Sequence, residues 1–262
     1  GIEMAKRIIT ISREFGSGGR FIGEEVAKKL GIAYYDKNMK IVSWNSCGKF
    51  REKFKFIAEF APDICVIQEC ENPREVSCKA YKDFARNSIW IGQNKNRGLG
   101  IFAKQDITLK NNNWNSYCLR HFLSVRVNSK FDLLAVWACK PYIEEYFIYQ
   151  SIHKDKFNKN TIIIGDFNSN SIWDSNHDKR NHSAVVRQLK GIGLVSAYHI
   201  ENKEKQGKET QNTFFLYRHP DKSYHIDYAF VDKDRIKSFE IPKSDIWLKY
   251  SDHKPIILEL KI

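Results

Sequence analysis

The chain has 262 residues, 42% hydrophobic and 13% aromatic, with 43 Lys and Arg against 31 Asp and Glu for a net charge of +12. That apolar content supplies one sizeable core and excludes a disordered, collagen-like or coiled-coil protein. Apolar runs such as Thr161–Gly165 are too short to span a bilayer. No basic stretch followed by an apolar one marks an export signal at the N-terminus. Six cysteines (47, 65, 70, 78, 118 and 139) form no CxxC pair and no dense framework, so reduced thiols and a cytoplasmic location are expected. The positive balance suits a nucleic-acid partner, because phosphate backbones reward Lys and Arg through counterion release. The basic residues are scattered, however, and charge alone leaves the partner open.

Residues 1–38 have a character of their own. Arg7-Ile-Ile-Thr-Ile-Ser12 reads as a strand and Gly16-Ser-Gly-Gly19 as a tight turn, while Ile22, Val26 and Leu30 fall on one face of a helix. Strand, glycine-rich turn and helix outline a phosphate-binding loop. Yet Gly18-Gly19-Arg20 stands where a Walker motif needs Gly-Lys-Ser/Thr. The run Ile11-Ser-Arg-Glu-Phe-Gly-Ser-Gly-Gly-Arg20 resembles the start of cytidylate-kinase-like proteins. The core, lid and base pocket of a nucleoside kinase do not follow it. Residues 1–38 are therefore read as an incomplete strand–loop–helix extension, an inactive remnant or a fusion, and residues 39–262 as the main domain.

Beyond residue 39, period-2 and short apolar runs predict strands at 40–44, 63–68, 88–92, 98–103, 118–127, 131–138, 161–165, 213–217, 225–231 and 256–261. Helices are predicted at 49–60, 142–157 and 182–190, the first with Phe50, Phe54 and Ile57 on one face. So few helices among so many strands predict a sheet-dominated α/β domain with two sheets packed face to face. The low-complexity stretch Glu201-Asn-Lys-Glu-Lys-Gln-Gly-Lys-Glu209 reads as a solvated loop.

The chemistry is concentrated where apolar strands end. Ile41-Val-Ser-Trp-Asn45 closes on an amide and Asp63-Ile-Cys-Val-Ile-Gln-Glu69 on a carboxylate. Thr161-Ile-Ile-Ile-Gly-Asp-Phe-Asn168 places Asp166 and Asn168 two apart, on one side of extended chain. His225-Ile-Asp227 sets an acid in an apolar strand, and Ser251-Asp252-His253 precedes the last one. Any one of these is more often a turn former or surface polarity. Together they point to side chains held on rigid elements, as catalysis requires.

These motifs, with Trp44-Asn45, Gln68-Glu69, Gly98-Leu-Gly-Ile-Phe-Ala-Lys104, Gly165-Asp-Phe-Asn168, Ile226-Asp227-Tyr and Ser251-Asp-His253, resemble the endonuclease/exonuclease/phosphatase superfamily across residues 40–262. The resemblance implies a four-layer sandwich, two mixed β-sheets flanked by helices, with the motifs converging at one edge. It also implies a divalent metal, Mg²⁺ or else Mn²⁺, and hydrolysis of a phosphoester. A hard cation of that kind takes oxygen ligands. Under this resemblance Glu69 is the principal ligand, Asn45 orients it or holds a metal-bound water, and Asp252 lies at or near the metal. Asp166 orients and deprotonates the attacking water, and Asn168 donates hydrogen bonds to the transition state. Asp227 pairs with His253, which then donates to a phosphate oxygen as imidazolium.

This sequence departs from exonuclease III-like enzymes at two places. Cys47 stands where an acid often follows the first Asn, and Trp137 stands in the strand that often carries a catalytic Tyr or His. Trp137 cannot take a proton, which puts apurinic-site specificity in doubt. Lys140, Arg97 and Trp173 are candidate substrate contacts, the last by stacking; His121 and His199 are read as structural. Nucleic acid is the favoured substrate, with no membrane and no obligate protein partner evident. A phosphatase or phosphodiesterase acting on a small or lipid phosphoester stays open. So does a non-catalytic binding module on the same fold.

Overall fold

The computed structural model describes residues 25–26, 28–30 and 38–262. Residues 25–26 and 28–30 are helical, in keeping with the stripe through Val26 and Leu30; the strand and turn read at 7–19 lie outside the described residues. In chain order the main elements are β1 (Asn38–Asn45), α1 (Phe50–Ala58), β2 (Ile64–Cys70), α2 (Lys79–Phe84), β3 (Ser88–Asn94), β4 (Arg97–Ala103) and β5 (Leu109–Asn111). Then come β6 (Phe122–Val127), β7 (Phe131–Trp137), α3 (Ile143–His153), β8 (Thr161–Asp166), α4 (His182–Gly191), β9 (Leu194–Ser196) and α5 (Ala197–Asn202). The chain closes with β10 (Phe214–Phe215), β11 (Ser223–Tyr224), β12 (Asp227–Asp232), β13 (Ile236–Glu240) and β14 (Ile256–Lys261).

Two six-stranded sheets result, in the orders β13-β14-β1-β2-β4-β3 and β5-β6-β7-β8-β12-β9, with β10 and β11 forming a separate hairpin. Both sheets are mixed, since β1 pairs parallel with β2 and β7 with β8 while the other pairs are antiparallel.

Alternation along the central strands builds the layers. Ile41, Ile64, Val66, Ile162, Ile164, Leu133 and Leu258 face the other sheet and form the middle of the sandwich. Their neighbours Val42, Trp44 and Ile67 turn outward onto Phe50, Ile57, Tyr81 and Trp247. On the far side Leu134, Val136 and Ile163 turn onto Tyr146, Tyr149, Val185 and Leu189 from α3 and α4. Because both faces are covered, Ile64–Ile67 of β2 and Ile162–Ile164 of β8 read as unbroken apolar runs rather than alternating ones. The predicted α/β four-layer sandwich of two mixed sheets is the architecture observed.

The differences from expectation have local causes. The predicted strand at 118–127 starts only at Phe122, after a turn with left-handed Tyr117 and His121. The predicted strand at 213–217 shrinks to Phe214–Phe215, since Tyr217 and Arg218 are also left-handed. Helices α2 and α5 span six residues each, too few for a period to show. The low-complexity stretch 201–209 is not merely solvated. The Glu209 side chain is buried, accepting from His199, Asn170 and the Gly207 amide. Among the described residues no helix is long and apolar enough to cross a membrane.

Candidate active site

Two parallel strand pairs, β1/β2 and β7/β8, send their C-terminal ends to one edge of the sandwich. Asn45 ends β1, Glu69 sits one residue before the end of β2, and Asp166 ends β8. The antiparallel register of β8 and β12 sets Asp227 directly opposite Asp166. Gly165, at φ 147°, makes this possible: a Cβ there would collide with the Val136 carbonyl oxygen, so only glycine lets β8 approach β7 just before the acid.

The two sheets are joined through Asn45. Its Nδ2 donates to Asp166 Oδ2 at 3.0 Å and lies 3.3 Å from Glu69 Oε1, while its Oδ1 accepts from the Cys47 amide at 3.0 Å. Asp166 also accepts from the Asn168 backbone N–H at 2.8 Å and side-chain Nδ2 at 3.1 Å. Asn168 spends its other side-chain N–H on the Ala138 carbonyl, so in this structure its amide holds Asp166 rather than standing free. Gln68, fully buried, bridges the sheets nearby, donating to Ser43 Oγ at 3.0 Å and to the Val136 carbonyl at 3.3 Å.

His253 is pinned on several sides. Its Nδ1 lies 2.9 Å from Asp227 Oδ2 and its Nε2 3.9 Å from Asp166 Oδ2. The ring lies against Phe214, and Trp44 Nε1 donates to its carbonyl. Ser251 Oγ accepts from the His253 amide and donates to the Asn45 carbonyl at 2.7 Å, tying the turn to β1. Thr213 Oγ1 accepts the Asp227 amide. Burial alone would strip the proton from His253, but Asp227 and Asp166 outweigh it and raise the ring to about 10. Asp166 is pushed up to about 7 by burial and then by Asp227, with His253, Asn45 and Asn168 pulling the other way. At neutral pH the trio is thus an imidazolium between two carboxyl groups. Its ligand atoms lie within 4.8 Å of one another, a spacing a metal could also span.

The cation-facing groups lie beside this trio. Glu69 keeps its carboxylate at the cleft, with Oε2 taken by Arg97 at 2.6 Å. Asp252 is half-buried; burial first, then the charges of Asp252 and Glu69, push the Cys47 thiol up. Glu69 and Asp252 supply carboxylate oxygens, the donor type a hard divalent cation takes, while Asn45 turns its amide nitrogen to Glu69 and Asp166 and its oxygen to the Cys47 amide.

A cleft of about 340 Å³ opens next to Asn168, lined by Arg97, Arg120, His121, Trp137, Lys140 and Tyr142. Arg97 lies 5.7 Å above the Trp137 ring, with His121 packed at 4.4 Å. Burial drives His121 down to about 4, so it is neutral there, with Nδ1 at 3.2 Å from Cys139 Sγ. His199, between Ser196 and Glu209, is likewise packed into the fold. Trp173 is not among the residues lining this cleft and packs against Tyr224 at 4.9 Å. Sequence reading left Gln68, Ser251 and Thr213 without a role; the first two sat inside the motifs, and Thr213 carried no signal.

Sequence comparison with curated proteins yields no match. Among solved structures the chain is similar to a 3′-5′ exonuclease (NExo) from Neisseria meningitidis, at 17% identity and TM-score 0.63, covering 86% of this chain and 100% of that one. A second structure with the same figures is described as the 3′ phosphatase NExo from Neisseria bound to a product DNA hairpin. An AP endonuclease from Archaeoglobus fulgidus is similar at 16% identity and TM-score 0.63, covering 86% and 100%. TDP2 from D. rerio, complexed with a single-strand DNA product, is similar at 17% and 0.58, covering 87% and 100%. The cytidylate kinase-like family matches residues 8–60, a minority of the chain. The Endonuclease/Exonuclease/phosphatase family matches residues 42–253, and it is to this family of phosphoester hydrolases that the chain belongs.

Proposed function

We propose that this enzyme is a Mg²⁺-dependent phosphodiesterase acting on nucleic acid, with Mn²⁺ as a substitute. The observation that carries the reading is the Asn45–Asp166 hydrogen bond, which joins the Glu69 side to the Asp166–His253–Asp227 side. Glu69, Asn45 and Asp252 would hold the cation. When bound, it neutralises charge on a non-bridging phosphate oxygen and on the leaving group.

Asp166 orients the attacking water and takes its proton as the water oxygen bonds to phosphorus. A carboxyl raised to about 7 is well matched to that task at neutral pH. His253, kept charged by Asp227, donates from Nε2 to a phosphate oxygen. Asn168 fixes Asp166, and its amide would act on the transition state only by giving up a present partner. The ester oxygen leaves on the opposite side of phosphorus.

Three cations, Arg97, Arg120 and Lys140, border the cleft beside Asn168, and Lys140 makes no ion pair among the described residues. That supports a polyanionic strand, in keeping with the DNA-bound Neisseria and D. rerio relatives. Trp173 would reach such a strand only from its position against Tyr224. The test is end-labelled DNA and RNA, single- and double-stranded, incubated with Mg²⁺ beside phospholipid and small phosphoester panels. Shortened nucleic acid with defined terminal phosphate supports the reading. Removal of a terminal phosphate alone would make it a phosphatase, and turnover confined to lipid or small esters would overturn it.

A further inference from the structure

Lys53 lies on α1, off the cleft, and belongs to none of the motifs. An ammonium has three N–H donors and no acceptor. Lys53 spends all three on backbone carbonyls: Ser46 at 2.7 Å, Gly48 at 2.8 Å and Tyr250 at 2.6 Å. Two of these belong to the turn that follows Asn45, and the third belongs to the residue before Ser251-Asp252-His253. The first turn carries three successive left-handed residues, Cys47 (φ 51°), Gly48 (φ 72°) and Lys49 (φ 52°). Two of the three are not glycine, and such backbone persists only where its surroundings hold it. Lys53 is what holds it from below. Removing the ammonium would leave three carbonyl dipoles pointing at one another.

We propose that Lys53 is a positioning residue, fixing the Asn45 turn and the Asp252 turn relative to each other so that Asn45, Glu69 and Asp252 face a single cation. It touches neither substrate nor metal. The inference rests on the hydrolase reading above.

The experiment uses the full chain with Mn²⁺ alone as the binding probe, read by electron paramagnetic resonance, and bis-nitrophenyl phosphate for turnover. Lys53→Met, assayed well below its melting midpoint, should weaken Mn²⁺ binding by about 10-fold or more and lower kcat by a similar factor, with KM nearly unchanged. A clamp serving stability alone would lower the melting midpoint and leave Mn²⁺ affinity and kcat native, which would overturn the proposal. If Lys53→Met does not fold, Lys53→Arg decides. Its planar fork keeps the charge but cannot meet three carbonyls converging on one point. Weakened Mn²⁺ binding in that variant supports the proposal; native binding and kcat overturn it. A native protein that neither binds Mn²⁺ nor turns over the ester would instead sink the hydrolase reading on which this stands.

Discussion

The two sides of the cleft are built differently. On one side Asp166, Asp227 and His253 are buried, each bonded to another or to the backbone around them. On the other, Glu69 and Asp252 are half-buried and Arg97 and Lys140 exposed. The buried side has its dipoles fixed before substrate arrives, which is how electrostatic stabilisation of a transition state works. The open side keeps lone pairs and charges turned toward solvent, where ions and phosphates bind. Substitutions on the buried side should therefore cost rate, and those on the open side affinity.

The sharpest way to break this contrast is Asp166→Asn, which keeps the shape and removes the base. Single-turnover rate on an oligonucleotide should fall by about 10²–10⁴-fold while Kd barely moves. A lowered affinity with an intact rate would remove Asp166 from the chemistry. Next in size is Glu69→Gln on the open side. Titration calorimetry should show Mg²⁺ or Mn²⁺ affinity down by at least about 10-fold, with activity partly recovered at high metal concentration. An unchanged metal affinity would move the cation elsewhere, and the Asp166–Asp227–His253 cluster would be the place to look.

The pH profile reports the buried side directly. Asp166 must be ionised to accept a proton and His253 protonated to donate one. Activity should thus rise with pH through about 7, where Asp166 loses its proton, and fall near 10, where His253 does. A bound cation next to Asp166 would pull the rising limb lower. Asp227→Asn should bring the falling limb down toward neutrality, because Asp227 is the strongest group holding the charge on His253. A falling limb that stayed in place would dissociate the pair.

On the open side a smaller effect is expected. Lys140→Ala should raise KM for an oligonucleotide by a few-fold, leave kcat and bis-nitrophenyl phosphate turnover alone, and reduce the salt slope by about 1. Equal losses on both substrates would place Lys140 at the reacting phosphate instead of along the strand.

The same contrast separates what could be read in the sequence from what could not. Asp166, Asp227 and Glu69 were visible because, bland one at a time, they recur together as carboxylates ending or interrupting apolar strands, and strand period put Asp166 and Asn168 on one side. The packing of the sheets followed from the number and length of those strands. The Asn45–Asp166 bond was not visible: it spans 121 residues and crosses from one sheet to the other, which no local pattern encodes. Nor was the bridging role of Gln68, whose side chain reads as ordinary polarity until the second sheet packs over it. Trp173, singled out as a loop aromatic, has a ring partner in Tyr224 that no local pattern announces. Glu209 shows that composition can mislead, since a Lys- and Glu-rich stretch hides one buried acid among solvated ones.

The smallest expected effect concerns the N-terminal extension. The two matching families overlap at residues 42–60, so sequence likeness alone assigns that stretch twice. The structure gives it to the sandwich. β1 lies inside its sheet, paired to β14 on one side and β2 on the other, and Phe50 and Ile57 of α1 are buried against Trp44 and Ile67. A kinase reading would therefore have to stand on what precedes β1, and there Gly18-Gly19-Arg20 replaces the Gly-Lys-Ser/Thr of a Walker motif. Deleting residues 1–37, which leaves β1 whole, should keep phosphoesterase kcat/KM within about twofold, the scale of changes remote from a core or site. Tight ATP binding by the full chain, lost on deletion, would give the extension a function of its own. A collapse of hydrolysis in the shortened chain would mean that the cleft depends on residues outside the sandwich, and the division into buried and open sides would need a third part.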